Sequence, residues 1–326
     1  MYLPSSYSSA LLMMLAGMTF WGSWANTFKL TRNWRVELFY WDYSIGIFVS
    51  SILIGLTMGT FFGQQRFIAQ LVAADHSAWL YATAAGALWN SGNILLLSGV
   101  ALVGLAVAFP LSIGLALILG VIGSYLVVPR GSPTLLCLGV AMVFAAIIFN
   151  SLAYRVTATH QGKLSRTGIV VCLAAGLLFS SFGPLVGKAL SSSHPLGPYG
   201  VTFFFTLGAL LSTIPLMTYF MRRPIQGTPV NWSDYRQGTP WQHGAGLLGG
   251  FFWTLGTTFA FVPASMVGIA LAYAIGQANP LIAALWGVFV WHEFRGATAR
   301  ANALLGLMFT LYFGGLLVLA SSFRAQ

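Results

Sequence analysis

The chain alternates between long apolar stretches and short polar segments. Because a helix needs about 20 apolar residues to cross a hydrocarbon layer of ~30 Å, windows of that size predict membrane-spanning helices. They give ten predicted spans, at approximately 9–28, 43–63, 78–98, 102–127, 133–153, 167–189, 199–220, 244–263, 267–291 and 299–321. No segment between them is long enough for a soluble domain. The pattern predicts an all-α integral membrane protein.

The composition excludes a soluble enzyme and a disordered chain. Charged residues make up 6% of the 326 residues and hydrophobic residues 57%, whereas soluble domains carry about 25% charged residues. The mean hydropathy is +0.81. The net charge of +10 does not indicate a nucleic-acid partner, because the basic residues lie singly or in small groups between apolar stretches. We expect the lipid bilayer of the cell (inner) membrane as the protein's environment.

The distribution of Lys and Arg predicts the orientation, since positively charged loops stay in the cytoplasm. The loops after spans 1, 5, 7 and 9 contain Lys29, Arg32, Arg35, Arg155, Lys163, Arg166, Arg222, Arg223, Arg236, Arg295 and Arg300. The other side carries only Arg66, Arg130, Lys188 and Arg324. This bias places the first group in the cytoplasm and both termini outside, on the periplasmic face.

An internal repeat divides the chain. Seven residues recur 164 positions later: Gly86, Trp89, Gly92, Val103, Gly104, Ala106 and Ala108 match Gly250, Trp253, Gly256, Val267, Gly268, Ala270 and Ala272. We predict two five-helix repeats, 1–156 and 167–326, joined by a cytoplasmic link at 157–166. Because five is odd, the repeats must be inverted, an arrangement typical of secondary transporters.

Polar and aromatic residues inside the spans are the candidate solute-binding residues, because an unpartnered polar group in a membrane is costly. They are Trp21, Trp24, Asn26, Trp89, Asn90, Asn93, Trp253, Thr257, Tyr273, Gln277 and Asn279. Pro110 and Pro280 are expected to break their helices. Indole rings beside amides suit a small, neutral, flat or ring-shaped solute. Hydrogen bonding and packing between helices explain the same residues equally well.

Three charged residues are candidates for ion coupling or gating. Asp42, at the start of the second span, and Glu293, after the ninth, are expected to be the least exposed of the five carboxylates. Proton coupling is one interpretation, and pairing with Arg35 or Arg295 as a gate or anchor is the other. Lys188 is a candidate gate or anion-binding residue, although its side chain also suits snorkelling to the headgroups.

No catalytic residue, metal site or cofactor is predicted. The two cysteines, Cys137 and Cys172, lie in apolar runs. The five histidines lie in loops or at span ends, and no His-Glu-x-x-His or Gly-x-Ser-x-Gly run occurs. We therefore do not expect an enzyme.

Several short runs carry a resemblance to known transporters. They are Trp21-Gly22-Ser23-Trp24, Trp41-Asp42-Tyr43-Ser44, Phe179-Ser180-x-Phe182-x-Pro184, Trp286 with His292-Glu293-Phe294-Arg295, and the stretches 86–93 and 103–111. With ten spans in a five-plus-five repeat, the chain resembles the drug/metabolite transporter superfamily. Within it, the chain is similar to the ureide permease family and to the bacterial glucose/ribose and rhamnose uptake families. Plant ureide permeases have a long hydrophilic loop between their halves, whereas residues 156–166 form a short basic link.

The resemblance implies a permease that takes up its solute on a proton or sodium gradient, and we expect a monomer or a homodimer. Our leading hypothesis is a symporter that imports a small neutral ring-shaped solute, ureide-like or nucleobase-like, by alternating access. A sugar importer is the first alternative, and a metabolite or drug exporter of the same superfamily is the second. A cationic-drug exporter would be expected to carry a carboxylate in the middle of a span, and no predicted span has one.

The amide candidates can be tested separately from folding. We expect Asn93→Ala or Gln277→Ala to reduce solute uptake, because each removes a hydrogen-bonding side chain, without abolishing membrane insertion. Uptake by proteoliposomes and the yield of protein in the membrane fraction measure the two effects. Unchanged uptake in both variants would remove the proposed site.

Overall fold

Helices joined by turns and short connections make up the part of the protein that the structure describes. The computed structural model describes residues 1–62, 66–157 and 165–324, and these ranges contain no β-strand. Most of the predicted cytoplasmic link, residues 158–164 with Lys163, lies outside the described residues.

Fifteen α-helices and two π-helical segments make up the described chain. The first eight α-helices are α1 Tyr7–Ser23, α2 Ala25–Lys29, α3 Val36–Phe61, α4 Phe67–Ala73, α5 His76–Val103, α6 Leu105–Phe109, α7 Leu115–Val127 and α8 Pro133–Thr157. The others are α9 Arg166–Ser191, α10 Pro198–Arg222, α11 Trp232–Arg236, α12 Pro240–Val267, α13 Ile269–Gly276, α14 Pro280–Leu285 and α15 Ala299–Arg324. The π-helices are Pro110–Gly114 and Trp286–Val290.

The apolar helices make this a multi-pass membrane protein. Within the described ranges, nine helical segments are long and apolar enough to cross a membrane, the first at Val36–Phe61 and the last at Ala299–Phe323. The segment predicted as the first span forms the 17-residue α1 followed by the short α2. The count of ten spans therefore stays a prediction.

Several helix bounds differ from the predicted ones. The second span begins at Val36 instead of residue 43, because the two carboxylates Glu37 and Asp42 lower the hydropathy of a segment that is nevertheless helical and buried. Asp42 therefore lies in the second turn of α3, and is not at its start. Two short helices, α4 and α11, form in segments predicted as loops.

Two glycines connect helices that the sequence predicted as separate spans, the third with the fourth and the eighth with the ninth, within a few residues of the predicted boundaries. Gly104 has a φ of 76° and Gly268 a φ of 91°, and each immediately precedes a new helix. Residues other than glycine rarely adopt such angles. These two glycines are one of the residue pairs separated by 164 positions, so the paired positions share a backbone conformation as well as a residue type.

Two prolines begin further irregular segments. Pro110 is the first residue of the π-helix Pro110–Gly114, and Pro280 begins α14 after a turn that separates it from Gly276. A proline lacks the N–H that continues a helical ladder, so each of these positions interrupts regular helical hydrogen bonding.

The described helices form two compact units. The first consists of residues 1–91 and 185–265, and the second of residues 92–184 and 266–326. In the first unit α10 packs along α3, and α4 contacts both helices. In the second unit α15 packs along α8, and α13 packs against α7. Each unit contains segments from both predicted repeats, so units and repeats divide the chain differently.

Helices α3 and α12 of the first unit approach each other backbone to backbone. A Cβ atom at Gly46 would lie 2.6 Å from the carbonyl oxygen of Leu247, and one at Gly250 would meet the carbonyl of Tyr43. The hydroxyl of Thr254 lies 3.0 Å from the carbonyl oxygen of Ile47, which adds a hydrogen bond to the same crossing. Small residues that permit close packing are a common basis of helix association in membranes.

The close crossing of α3 and α12 predicts that alanine substitutions at two glycines of α12 differ strongly in their effect on stability. Gly250→Ala should lower the stability by about 1–3 kcal/mol, because its methyl group meets backbone that cannot move aside easily. Gly244→Ala is the matched control, since a Cβ there meets nothing within 4 Å. Thermal unfolding in detergent measures the effect, and equal melting temperatures for the two variants would contradict the close approach.

Candidate functional site

Three indole rings meet inside the first unit. Trp89 of α5 and Trp253 of α12 have ring centroids 4.1 Å apart, and Trp21 of α1 stacks on Trp253 at 6.3 Å. Phe205 of α10 lies 5.8 Å from Trp89 and 5.9 Å from Trp253. We call Trp21, Trp89 and Trp253 the indole cluster. Three of the predicted binding residues are thereby brought together.

One hydroxyl group contacts the indole cluster, and two further buried hydroxyls lie in the same unit. The indole N–H of Trp21 donates to the Thr257 hydroxyl at 3.1 Å, so a fourth predicted residue joins the cluster. Next to it in the chain, Thr258 has a buried hydroxyl with no hydrogen-bond partner within the described ranges. Trp24 stacks on Tyr43 at 4.4 Å, and the hydroxyl of Tyr43 likewise has no described partner. Buried unpartnered polar groups are uncommon enough to mark a candidate solute site.

Asn90 makes the hydrogen bonds between helices that were the alternative interpretation of this residue. Its Oδ1 accepts from the Tyr40 hydroxyl at 2.8 Å, and its Nδ2 donates to the hydroxyls of Ser212 and Thr213 at 2.8 and 3.1 Å. The side chain is fully buried. Both amide hydrogens and one oxygen lone pair are therefore already used in holding α3, α5 and α10 together.

The remaining polar candidates are distributed over both units. Asn93 and Gln277 belong to the second unit and are 8% and 6% exposed, whereas Asn90 belongs to the first. The amides of Asn26 and Asn279 donate to carbonyl oxygens three residues earlier, those of Ser23 and Gly276, both at 2.9 Å. These two side chains therefore help to form the turns in which they lie.

Tyr273 is embedded in the second unit. Its ring packs against Phe182 with centroids 4.8 Å apart, and its hydroxyl lies 3.2 Å from the carbonyl oxygen of Ala116 and 3.1 Å from that of Phe179. A single O–H donates to one of these carbonyls at a time. Tyr273 thus links α13 to α7 and α9.

Asp42 forms a buried cluster with two titratable partners. Its Oδ1 accepts from the Tyr235 hydroxyl at 2.6 Å, and its Oδ2 lies 2.9 Å from Nδ1 of His243. The side chain of Asp42 is 5% exposed and that of His243 is 26% exposed. Asp42, Tyr235 and His243, from α3, α11 and α12, are called the Asp42 cluster below.

The expected pairing of Asp42 with Arg35 is wrong. Arg35 instead binds Glu37 through two hydrogen bonds of 3.1 and 2.9 Å, because both residues lie at the first turn of α3. The same guanidinium donates to the carbonyl oxygens of Thr228 and Gln226. Arg35 thus holds the segment leading to α11, and Asp42 is left to Tyr235 and His243.

Tyr235 serves this cluster as a hydrogen-bond donor. Burial raises the pKa of Tyr235 well above its ordinary value, and the hydrogen bond to Asp42 raises it further. The phenol therefore keeps its proton throughout the physiological range. A capping box between Asn231 and Asp234 fixes the start of α11 and hence the position of the ring.

The other two charged candidates are more exposed. Glu293 was expected to be among the least exposed carboxylates, but it is exposed, because the helical segment ends at Val290, and Glu37 is buried instead. The Tyr154 hydroxyl donates to Glu293 at 2.8 Å. Lys188 is also exposed and places its ammonium 5.3 Å from the centre of the Tyr81 ring.

Sequence reasoning missed three residues that the structure brings to these sites: Tyr43, Tyr235 and His243. Asp42 and His243 are 201 positions apart, so no local motif joins them. One available signal was the spacing on α12, where His243, Gly250, Trp253 and Thr257 recur three, four or seven residues apart and so share one helical face. No group of His, Cys, Asp and Glu that could hold a metal occurs among the described residues.

Comparison with known proteins shows which proteins the chain resembles. The family described as sugar transport protein matches residues 43–320. Ureide permease 1 of Arabidopsis thaliana is 24% identical over 391 aligned positions, covering 99% of both chains, and ureide permease 5 of that plant is 32% identical over 49% of this chain and 41% of its own. The "Probable glucose uptake protein GlcU" of Bacillus cereus is 24% identical over 73% of this chain and 78% of its own.

A solved structure shares the fold. A crystal structure with 17% sequence identity superimposes with a TM-score of 0.67 and covers 96% of this chain and 98% of its own. At this level of identity the likeness concerns the fold alone.

The role of Asn90 gives a prediction about stability. Asn90→Ala should lower the free energy of unfolding by about 1–3 kcal/mol, because it removes three hydrogen bonds that the buried amide makes between helices, one accepted from Tyr40 and two donated to Ser212 and Thr213. Ser91→Ala is the matched control, since the Ser91 hydroxyl bonds only to its own helix at Ala87. Thermal unfolding in detergent compares the two, and an Asn90→Ala variant as stable as the control would contradict the assigned role.

Proposed function

Since the chain belongs to the sugar transport protein family and is a membrane transporter of small solutes, we propose that it imports a small, neutral, ring-shaped solute by secondary active transport. The expected driving force is a proton or sodium gradient, and the expected mechanism is alternating access. Ten spans in two inverted repeats, with both termini outside, are part of this proposal.

The observation that carries the proposal is the indole cluster with its neutral surroundings. Trp21, Trp89 and Trp253 provide aromatic faces, and the hydroxyl of Thr257 contacts Trp21. The buried hydroxyls of Thr258 and Tyr43, which have no partner among the described residues, lie on α12 and α3 of the same unit. A flat ring stacks on an indole while polar atoms at its rim bond to hydroxyls. A charged solute would require a charged partner, and the groups that contact the cluster are neutral.

Two solute classes fit the cluster, and the relatives favour one of them. Ureide permease 1 matches over 99% of both chains, so a ureide or nucleobase is the leading candidate. The family description and the glucose uptake proteins favour a sugar as the second candidate. Export of a metabolite or drug is a further alternative that the superfamily resemblance leaves open.

Matched glycines support an inverted repeat. Gly104 and Gly268 occupy equivalent places in the sequence repeat, and both adopt a positive φ before a new helix. Gly86 and Gly250 are also equivalent, and each lies against a neighbouring helix backbone.

In the second unit Asn93 and Gln277 stay proposed solute contacts.

Uptake by proteoliposomes tests the proposal. With an inward proton gradient, we expect saturable uptake of labelled allantoin that collapses when a protonophore is added. Unlabelled uracil, glucose, ribose and rhamnose serve as competitors, and labelled sugars are tested directly where allantoin is not taken up. Absence of saturable uptake for every labelled compound would contradict import of a neutral ring-shaped solute.

A tryptophan substitution tests the indole cluster itself. Trp253→Leu should raise the KM for uptake about fivefold to tenfold, because an aromatic contact contributes about 1 kcal/mol beyond its buried area. Trp241→Leu is the matched control on the same helix, since Trp241 is 62% exposed and lies outside the cluster. An unchanged KM in Trp253→Leu would exclude Trp253 from the solute site.

A further inference from the structure

We propose that the Asp42 cluster is the proton-binding site that couples solute uptake to the proton gradient. The inference rests on the proposed function and adds the coupling ion and the residues that carry it. Its basis is a buried carboxylate whose partners are themselves titratable.

The partners of Asp42 distinguish it from a structural ion pair. Within the described part of the chain, Asp42 makes no ion pair with Lys or Arg, and its contacts are to Tyr235 and His243. An arginine would remain charged at every relevant pH, whereas a histidine gains and loses a proton near neutrality. A carboxylate paired in this way can change protonation state together with its partner.

The charged residues near the Asp42 cluster bond to groups outside it. Asp42 is faced by Tyr235 from α11 and by His243 from α12, and Gly246 of α12 lies against its Cβ atom. On its own helix, Glu37 is paired with Arg35. On α11, the carboxylate of Asp234 accepts from the backbone of Asn231, and Arg236 donates to the carbonyl of Trp232. Asp42 and His243 are therefore the groups of this cluster available for proton binding.

His243 provides the route by which a proton reaches Asp42. It is the more exposed of the two, and its Nδ1 lies 2.9 Å from Oδ2 of Asp42, so the Nδ1-protonated tautomer donates to the carboxylate. A proton that binds Nε2 of His243 allows the Nδ1 proton to pass to Asp42. The result is a neutral imidazole with its proton on Nε2 and a neutral carboxyl group, so one proton has been taken up and no other group has changed.

Helix α12 joins the Asp42 cluster to the indole cluster. His243, Gly246, Gly250, Trp253 and Thr257 share one face of this helix. His243 and Trp253 are ten residues apart, which is about 15 Å at about 1.5 Å per residue. Protonation that loosens the contact of α12 with α3 at Asp42 therefore acts on the same helix that carries two residues of the proposed solute site.

The chain contains a matched control for this site. Asp75 and His194, also in the first unit, form a second carboxylate–histidine pair at 3.2 Å, but their side chains are 31% and 75% exposed. The backbone N–H of His194 lowers the pKa of Asp75, as do hydrogen bonds from the side chains of Ser193 and His194. This pair has the same chemistry as the Asp42 cluster but lies in solvent-exposed segments between spans.

The experiment separates coupling from transport. Proteoliposomes with an inward gradient of one pH unit and no membrane potential should accumulate the solute about tenfold per coupled proton. Asp42→Asn keeps the shape of the side chain, and we expect the accumulation ratio to fall to about one while exchange of labelled for unlabelled solute continues. The probe is labelled allantoin, or labelled glucose where allantoin is not taken up.

Two further variants complete the test. His243→Gln, at the more exposed partner, should also lose accumulation and retain exchange, and it replaces Asp42→Asn if that variant does not fold. Asp75→Asn should retain both activities.

Each other outcome overturns a distinct claim. Accumulation by Asp42→Asn equal to that of the wild type overturns the proton-site assignment, as does a wild type driven only by a sodium gradient. Loss of exchange together with accumulation in a folded Asp42→Asn variant makes Asp42 structural. Absence of uptake by the wild type overturns the proposed function itself.

Discussion

The arrangement of α3, α11 and α12 depends on a buried carboxylate in a membrane-spanning helix. Hydrocarbon offers no hydrogen-bond partner, so such a group must be satisfied by its own protein. The chain satisfies Asp42 by bringing a phenol from the short helix α11 and an imidazole from α12 to the second turn of α3. Arg35 holds the segment before α11 through the carbonyls of Gln226 and Thr228. The architecture of this end of the first unit follows from that single requirement.

The same constraint separates structural polar residues from functional ones. Asn90 uses its amide fully within α3, α5 and α10, and Tyr273 links three helices of the second unit, so packing explains both. The hydroxyls of Tyr43 and Thr258 are buried without a partner in the described ranges. They lie on the two helices that carry Asp42 and Trp253, and their unused hydrogen-bonding capacity is available to a solute.

The sequence predicted the helical membrane fold because long apolar windows have few other structures available to them. It also predicted that Trp21, Trp89, Trp253 and Thr257 belong to one site, and these four residues lie together. The partners of Asp42 could not be predicted, because His243 lies 201 positions away and the pairing depends on the close approach of α3 and α12. The boundary between the third and fourth spans was predicted to within a few residues, whereas the positive φ of Gly104 that forms it was not, because hydropathy does not report φ.

The most direct test of proton coupling at Asp42 is to measure the proton movement that the solute drives. Wild-type proteoliposomes with no imposed gradient are mixed with allantoin, or with glucose where allantoin is not a solute, while the external pH is recorded in weakly buffered medium. A proton-coupled importer predicts that the external pH rises in step with solute entry and that Asp42→Asn gives no rise. Solute entry into wild-type vesicles without any change in external pH would contradict the account.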